Sequence, residues 1–332
     1  MGVFALPILV LLAQAEPAPA VAPQDVAPPP ASPAAVPPLP FYLEPNPIHE
    51  VTVIADEPRF VAPTRRDRIG RIWAPVEING QGPFRLVLAT GASHSALTPR
   101  LARTLGLTMD VDHLVMLRGA TGTTPVPMVP VRSFEVGELM MEPRRLPVVP
   151  DALGGAEGIL GMDGLANKRI YIDFRHDSIS IVRSKGQRAV GGFQTIPVTF
   201  MRGRLLVADA FIGGVPVKAI IDTGGQATLG NEALRAALAE KRRKRLQEAK
   251  LDQIVGATMD VQFGMRQTTP SIALGTLIVQ NSAMTFADFE IFKHWKMTEE
   301  PAVLIGMDVL GLLDTLIIDY RRKEIQVKLR TT

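Results

Sequence analysis

The sequence predicts a mainly β protein with two similar lobes in one chain. Three observations favour this fold: short apolar runs rich in β-branched residues, Gly-containing turns between these runs, and an internal repeat that spans most of the chain. Helical patterns are few and short. A chain of 332 residues with 46% hydrophobic content is long enough to bury two such cores.

The repeat is anchored by two similar strand-and-turn segments. Residues 219–225 read Ala-Ile-Ile-Asp-Thr-Gly-Gly, and residues 86–93 read Leu-Val-Leu-Ala-Thr-Gly-Ala-Ser. In each segment an apolar run ends at a Thr-Gly pair, and the glycine lets another segment approach the turn closely. The two turns differ in their first residue, because Asp222 in the later segment corresponds to Ala89 in the earlier one.

When Ala89 is aligned with Asp222, further segments match in the same order. They share Gly-Ala-Thr, a hydrophobic pair followed by Gly-Met-Asp, and Ile-Asp followed by an aromatic residue. These segments are residues 119–121 with 256–258, 159–163 with 304–308, and 172–174 with 318–320. The repeat predicts two lobes of like fold, at residues 68–186 and 196–330.

Turn signals predict a β-hairpin near the start of each lobe. The hairpins join runs 76–78 and 84–88 through Asn79-Gly80, and runs 206–212 and 215–221 through Gly213-Gly214. One helix is predicted after Thr98, with Pro99 at its first position and an end near Gly106. A longer helix is predicted after Asn231.

The N-terminus predicts an export signal followed by a tether. Residues 4–12 form an apolar run too short to span a bilayer, and residues 13–15 form a small-x-small cleavage site, although the basic start of a signal peptide is missing. Residues 1–15 are therefore interpreted as a signal peptide, with an uncleaved anchor or a cytoplasmic tail as alternatives. Residues 16–67, rich in Pro and Ala, predict a disordered tether. An exported domain without cysteine favours a bacterial periplasm.

Composition argues against several classes of function. Lysine and arginine number 36 against 33 aspartate and glutamate residues, so nucleic-acid binding is not predicted. The absence of cysteine excludes disulfides, thiol nucleophiles and zinc–thiolate sites, and with five scattered histidines neither a metal site nor a cofactor is expected. The basic run from Lys241 to Arg245 is interpreted as a solvated helix face, and contact with an acidic lipid surface or partner is the alternative.

Two repeats that each deliver a carboxylate on a strand-end turn would place two acids side by side between the lobes. Such a pair shares one proton, so the ionised acid activates water while the protonated acid polarises a peptide carbonyl. Both half-sites lie in one chain, so a monomer is expected to suffice.

On these motifs, residues 70–330 resemble the pepsin and retropepsin aspartic peptidases, in particular two-lobed bacterial periplasmic members. The resemblance implies an all-β, bilobal pepsin-like fold, in which two retropepsin-like acid-protease β-barrel lobes carry a few short helices. It also implies an endopeptidase without a cofactor. Its substrates would be extended peptide segments of periplasmic proteins or of membrane-protein ectodomains.

The resemblance assigns roles to individual residues. Asp222 and position 89 would be the catalytic pair, and the two threonines would hydrogen-bond across the lobe interface. Supporting residues in the turns, and in the segments that pass behind them, are Thr90, Gly91, Thr223, Gly224, Gly161 and Gly306. Two flap hairpins that close over the peptide are implied at Gly119-Ala120-Thr121-Gly122 and Gly256-Ala257-Thr258, neither of which contains tyrosine.

Ala89 departs from the family pattern. An alanine neither shares a proton nor activates water, and Asp222 alone is expected to have a near-ordinary pKa and to be mostly ionised at neutral pH. Loss of one positioned acid–base group lowers a rate by about 10²–10⁴-fold. The chain is therefore either an inactivated form of an active aspartic peptidase or a pseudoprotease that binds peptides without cutting them.

Other candidate groups are interpreted as structural. Asp163 and Asp308 each follow a Gly-Met pair and are expected to be helix N-caps. Asp173 and Asp319 precede aromatic residues on late strands. His94 is interpreted as a surface histidine and not as a replacement catalyst.

Overall fold

A computed structural model describes most of the two predicted lobes. The described residues are 12–14, 60–63, 71–136, 139–141, 144–151, 153–163, 165, 167–188, 191–201, 205–242 and 249–329. From residue 71 onward strands dominate these residues, and two regions of similar strand order follow each other along the chain. The predicted all-β bilobal fold with a few short helices is confirmed.

The first region contains thirteen strands and one helix within the described residues. They are β1 (Leu12–Gln14), β2 (Phe60–Pro63), β3 (Trp73–Ile78), β4 (Gln81–Leu88), β5 (Ala96–Leu97), α1 (Pro99–Thr104), β6 (Asp110–Arg118), β7 (Thr123–Val131), β8 (Phe134–Val136), β9 (Leu139–Met141), β10 (Arg144–Pro147), β11 (Gly158–Leu160), β12 (Lys168–Asp173) and β13 (Ser178–Arg183). β3 and β4 form the predicted hairpin. Helix α1 begins where expected, because the Thr98 hydroxyl accepts a hydrogen bond from the Leu101 amide.

Two sheets build most of this region. A six-stranded sheet has the order β5-β11-β4-β3-β8-β9, in which β11 runs parallel to β4. A four-stranded sheet has the order β1-β6-β7-β10, and in it Leu12 of β1 pairs with Arg118 of β6. Cleavage of the predicted signal peptide after Ala15 would remove β1 from that edge.

The second region repeats this plan. Its elements are β14 (Gln194–Pro197), β15 (Thr199–Met201), β16 (Leu205–Ile212), β17 (Val215–Ile221), β18 (Leu229–Gly230), α2 (Glu232–Arg242), β19 (Lys250–Val255), β20 (Val261–Thr268), β21 (Ile272–Leu274), β22 (Leu277–Val279), β23 (Ala283–Phe286), α3 (Glu290–Trp295), β24 (Ala302–Ile305), α4 (Met307–Leu310), β25 (Leu313–Asp319) and β26 (Glu324–Leu329). A ten-stranded sheet contains β16, β17 and β24, and β24 runs parallel to β17 as β11 does to β4.

A third sheet joins the two regions. Its order is β14-β26-β25-β12-β13-β2, so strands of the first and second regions pair directly where β12 meets β25. Ile170 lies opposite Ile318 in this antiparallel pair, and both side chains are buried. The shared sheet and the apolar cluster that runs through both regions fix the two halves against each other.

Several predictions fall on residues that are not described. The predicted signal peptide and tether lie outside the described residues except for β1 and β2, and residues 243–245 of the basic run also lie outside them. The lobe bounds 68–186 and 196–330 stay predictions. Among the described residues, no helix has the length and apolar character needed to cross a membrane.

Candidate active site

The two strand-end turns are held in equivalent ways. β4 ends at Leu88 and β17 ends at Ile221. The Ala89 amide donates a hydrogen bond to the Leu160 carbonyl, and the Asp222 amide donates to the Ile305 carbonyl, each over 3.0 Å. Because β11 and β24 are the parallel neighbours of these strands, positions 89 and 222 are structurally equivalent.

The glycines that follow β11 and β24 allow a close passage of the backbone behind each turn. A Cβ atom added to Gly161 would lie 2.7 Å from the Ser95 amide nitrogen, and one added to Gly306 would lie 2.7 Å from the Ala227 carbonyl carbon. Backbone atoms this close leave no space for a side chain. The resemblance implied this passage at both glycines.

Two acids tie these segments to the turns. Asp163 accepts hydrogen bonds from the amide and hydroxyl of Ser95 over 2.7 and 2.6 Å, and Asp308 accepts from the amide and hydroxyl of Thr228 over 3.0 and 2.6 Å. The expectation that both are helix N-caps is wrong. Gly306 is the N-cap of α4, Asp308 lies inside that helix, and Asp163 begins no described helix.

Thr90 and Thr223 link the turns reciprocally. The Thr90 hydroxyl donates to the Ile221 carbonyl over 2.7 Å and accepts from the Thr223 amide over 3.0 Å. The Thr223 hydroxyl donates to the Leu88 carbonyl over 2.7 Å and accepts from the Thr90 amide over 3.2 Å. Both threonines are fully buried, so these four bonds are shielded from water.

Asp222 lies directly beside Ala89. A Cβ atom added to Gly224 would lie 2.6 Å from the Ala89 Cβ and 3.2 Å from Asp222 Oδ1, so both atoms border one small space. Asp222 Oδ1 accepts hydrogen bonds from the Gly224 amide over 2.8 Å and the Gly91 amide over 3.1 Å. Asp222 Oδ2 is buried and has no hydrogen-bond partner among the described residues. The arrangement therefore places one buried carboxylate beside an alanine at the structurally equivalent position.

Burial raises the pKa of Asp222 to about 7, although the Gly224 and Gly91 amides and the charge of Arg71 favour its ionised form. The near-ordinary pKa expected from the sequence is therefore wrong. That expectation considered only the missing second acid, whereas the Asp222 carboxyl group is fully buried in the folded chain. At neutral pH a substantial fraction of Asp222 is protonated.

Two hairpin tips, one from each region, contact each other. The first tip, residues 119–122, joins β6 to β7, and the second, residues 256–260, joins β19 to β20. The Thr121 hydroxyl donates to the Asp260 carbonyl over 2.7 Å. A Cβ atom on Gly119 would lie 3.2 Å from Thr258 Cγ2, so the tips are in direct contact.

Each tip places an alanine in an apolar cluster of the opposite region. Ala257 of the second tip packs in the cluster that contains Ala89, and Ala120 of the first tip packs in the cluster that contains Phe289 and Phe292. Ala120 and Ala257 are fully buried, and so are Asp222 and Ala89. Because Asp222 has no solvent exposure, a peptide can reach it only after the structure around it opens.

Arg71 is a buried charge near the site that the sequence analysis missed. Its Nη2 atom donates to the Leu153 carbonyl over 2.7 Å, and its positive charge lowers the pKa of Asp222 against the larger effect of burial. The one available signal was a charged residue two positions before the start of strand β3.

The remaining acids and His94 lie in local networks. Asp319 is fully buried and forms an ion pair with Arg169 over 2.9 Å. Asp173 accepts hydrogen bonds from the backbone amides of Arg175 and His176 at a turn. His94 is exposed. Among the described residues, no group of three or more side chains could hold a metal ion.

The sequence profile of the aspartyl protease family matches residues 74–163 and 208–309. Together these segments cover more than half of the chain, and the chain belongs to this family. One matched segment contains Ala89 and the other contains Asp222, so the match includes both turns of the site. A search of curated proteins finds no match.

Proposed function

We propose that this protein binds extended peptide segments between its two hairpin tips and Asp222, and that Ala89 leaves it with little or no peptidase activity. The observation that carries the proposal is the pairing of Asp222 with a fully buried alanine at the equivalent position. The reciprocal threonine links and the two glycine amides that donate to Asp222 support the proposal.

A single carboxyl group cannot be ionised and protonated at the same time. Hydrolysis by an acid pair needs one ionised carboxylate to activate water and one protonated acid to polarise the carbonyl. Below pH 7 Asp222 is mostly protonated and can donate to a peptide carbonyl, but no second carboxylate activates water. Above pH 7 Asp222 is mostly ionised and can activate water, but no protonated acid polarises the peptide carbonyl. The expected rate loss is about 10²–10⁴-fold.

The buried, unpartnered Oδ2 atom of Asp222 supports peptide binding. When protonated, this oxygen is a hydrogen-bond donor, and a peptide carbonyl is an acceptor of suitable chemistry. The apolar leader at residues 4–12 supports export, so the proposed ligands are segments of periplasmic proteins or membrane-protein ectodomains.

Binding and cleavage can be measured on the same peptides. Fluorescein-labelled extended peptides rich in hydrophobic residues and methionine are titrated with the purified chain at pH 5, and products are followed by mass spectrometry. We expect binding without cleavage, and binding at least about tenfold weaker for Asp222→Ala, since a buried donor to the peptide is lost.

Asp209→Ala is the matched control, because the Asp209 side chain is exposed on the neighbouring strand β16. This variant should bind as the unchanged chain does. Cleavage by the unchanged chain that Asp222→Asn abolishes would contradict the inactivity, and failure of every peptide to bind would contradict the function itself.

A further inference from the structure

A strand from the predicted signal peptide pairs with the strand that leads into the first hairpin tip. β1 (Leu12–Gln14) is the outer strand of the four-stranded sheet and runs antiparallel to β6. The residue pairs are Leu12 with Arg118, Ala13 with Leu117, and Gln14 with Met116. Since β6 ends at Arg118, β1 lies along the edge of this hairpin directly beside the tip at residues 119–122.

The hydrogen bonds of the hairpin determine which backbone groups of β6 face β1. The Gly119 amide donates over 2.8 Å to the carbonyl opposite it in the tip. Antiparallel strands alternate between hydrogen-bonded and non-hydrogen-bonded pairs, so Leu117 also bonds toward β7. Met116 lies opposite Pro125, which has no N–H group, and this agrees with the same alternation. The N–H and C=O groups of Met116 and Arg118 therefore point to the edge where β1 lies.

Such an edge can hold an extended peptide through main-chain hydrogen bonds. Met116 and Arg118 supply these bonds, whereas Leu117 lies in a non-hydrogen-bonded pair, in which the side chains of opposite residues come close. Leu117 is fully buried in the apolar cluster that contains Ala89. A peptide strand on this edge would place one side chain on the same face as Leu117, where a small or apolar residue fits.

We propose that the edge of β6 is a binding site for an extended peptide strand, and that β1 occupies this site until residues 1–15 are removed. The inference rests on the proposed function, which supplies the peptide ligand. β1 and the ligand use the same backbone groups, so they exclude each other. If β1 occupies the edge about nine-tenths of the time, the apparent affinity for the ligand falls about tenfold. Cleavage after Ala15 therefore activates peptide binding.

A double variant of the full chain, purified with residues 1–15 retained, frees the edge. Leu12→Pro with Gln14→Pro lacks the two N–H groups that face β6, and proline does not fit within a paired strand. Val21→Pro with Gln24→Pro, in the Pro- and Ala-rich segment, is the matched control. We expect exchange of the two edge amides of β6 to be at least about tenfold faster in the test variant and unchanged in the control. Unchanged thermal unfolding shows that each variant folds.

The binding probe is a fluorescein-labelled peptide with the sequence of residues 9–16, Leu-Val-Leu-Leu-Ala-Gln-Ala-Glu. It should bind the test variant about tenfold more tightly than it binds the full chain or the control. N-methylation of the probe at the position of Gln14 removes a backbone donor and should weaken binding about tenfold. N-methylation at the position of Ala13, which lies in a non-hydrogen-bonded pair, should have little effect.

Equal exchange rates or equal probe affinities in the full chain and the test variant would overturn the proposal, because β1 would then not compete for the edge. Equal effects of the two N-methyl groups would also overturn it, since the probe would not bind as a strand in this register. Self-association in sedimentation velocity that the test variant abolishes would show that a second copy supplies the strand. The proposed function is tested separately: unchanged probe binding by Asp222→Ala would contradict binding at Asp222 but not at β6.

Discussion

The Thr90 hydroxyl and the Thr223 hydroxyl each bond the backbone of the opposite turn, and each accepts a hydrogen bond from the other threonine's amide. Both residues are fully buried. The relationship fixes the separation of positions 89 and 222, so acids at both positions would lie side by side.

Removing either hydroxyl should destabilise the protein strongly. In Thr90→Val the shape is retained, but the Ile221 carbonyl and the Thr223 amide lose a buried partner, at a cost of about 2–4 kcal/mol. Thr223→Val should cost a similar amount. Urea unfolding monitored by circular dichroism measures both.

Thr104→Val is the control for this prediction, because the Thr104 hydroxyl bonds the Arg100 carbonyl on the exposed surface of α1. Its free energy of unfolding should change by less than about 0.5 kcal/mol. Similar losses of unfolding free energy for all three variants would show that the cross-turn hydrogen bonds contribute no more stability than an exposed one.

Alanine at Gly161 or Gly306 should be poorly tolerated. The added methyl group would meet backbone atoms of the neighbouring turn, which cannot rotate away, so a loss of about 3 kcal/mol or more is expected. Gly191→Ala is the control, since nothing lies within 4 Å of its added Cβ. If Gly161→Ala and Gly306→Ala both unfold at the same temperature as the unchanged chain, the close backbone passage is contradicted.

The pKa of Asp222 predicts a specific dependence of stability on pH. The folded pKa of about 7 lies above the ordinary value of 3.8, so the folded state holds the proton more tightly than the unfolded state does. The contribution to stability is complete below about pH 4 and is lost as pH rises through 7. Its size is about 4 kcal/mol at 1.36 kcal/mol per unit.

Asp222→Asn removes this titration. The difference in unfolding free energy between the variant and the unchanged chain should therefore shift in favour of the variant as the pH rises from 4 to 8. Urea unfolding at a series of pH values measures it. Parallel pH profiles for the two proteins would show that Asp222 titrates near its ordinary pKa.

Opening of the tips should follow the same titration. Ionised Asp222 gains solvation when the tips at residues 119–122 and 256–260 separate, so a pH above 7 should favour the open form. Amide exchange of tip residues, corrected for intrinsic rates, should rise with pH more steeply in the unchanged chain than in Asp222→Asn. Equal pH dependence in both proteins would contradict this coupling.

The sequence was sufficient where a local pattern determines local structure. The internal repeat predicted two equivalent turns, and the structure places Ala89 and Asp222 side by side at those turns. Apolar runs around glycine turns predicted the hairpins of β3 with β4 and β16 with β17. Thr98 and Pro99 predicted where α1 begins.

The sequence was insufficient where a property depends on contacts between segments that are far apart in the chain. The pKa of Asp222 depends on its burial within the folded chain, and the contact of Thr121 with Asp260 joins two tips from different regions. The roles of Asp163 and Asp308 were misassigned because their partners, Ser95 and Thr228, lie far away along the chain.

A glycine of the opposite turn faces each of positions 89 and 222. A Cβ atom on Gly91 would lie 2.6 Å from Asp222 Cγ, and one on Gly224 would lie 2.6 Å from the Ala89 Cβ. A side chain at either glycine would therefore collide with the residue at the opposite position. Because the turn, the threonine links and the tips are intact, Ala89→Asp should rebuild a proton-sharing pair.

The most direct test is the rate of peptide cleavage by Ala89→Asp compared with the unchanged chain and with Ala89→Asn, which matches the size without the acid. The account predicts a bell-shaped pH profile with an acidic optimum and a rate about 10²–10⁴-fold above the unchanged chain. Adding Asp222→Asn should abolish this activity, and Ala89→Asn should remain inactive. No cleavage by a folded, peptide-binding Ala89→Asp protein would contradict the claim that position 89 alone disables the site.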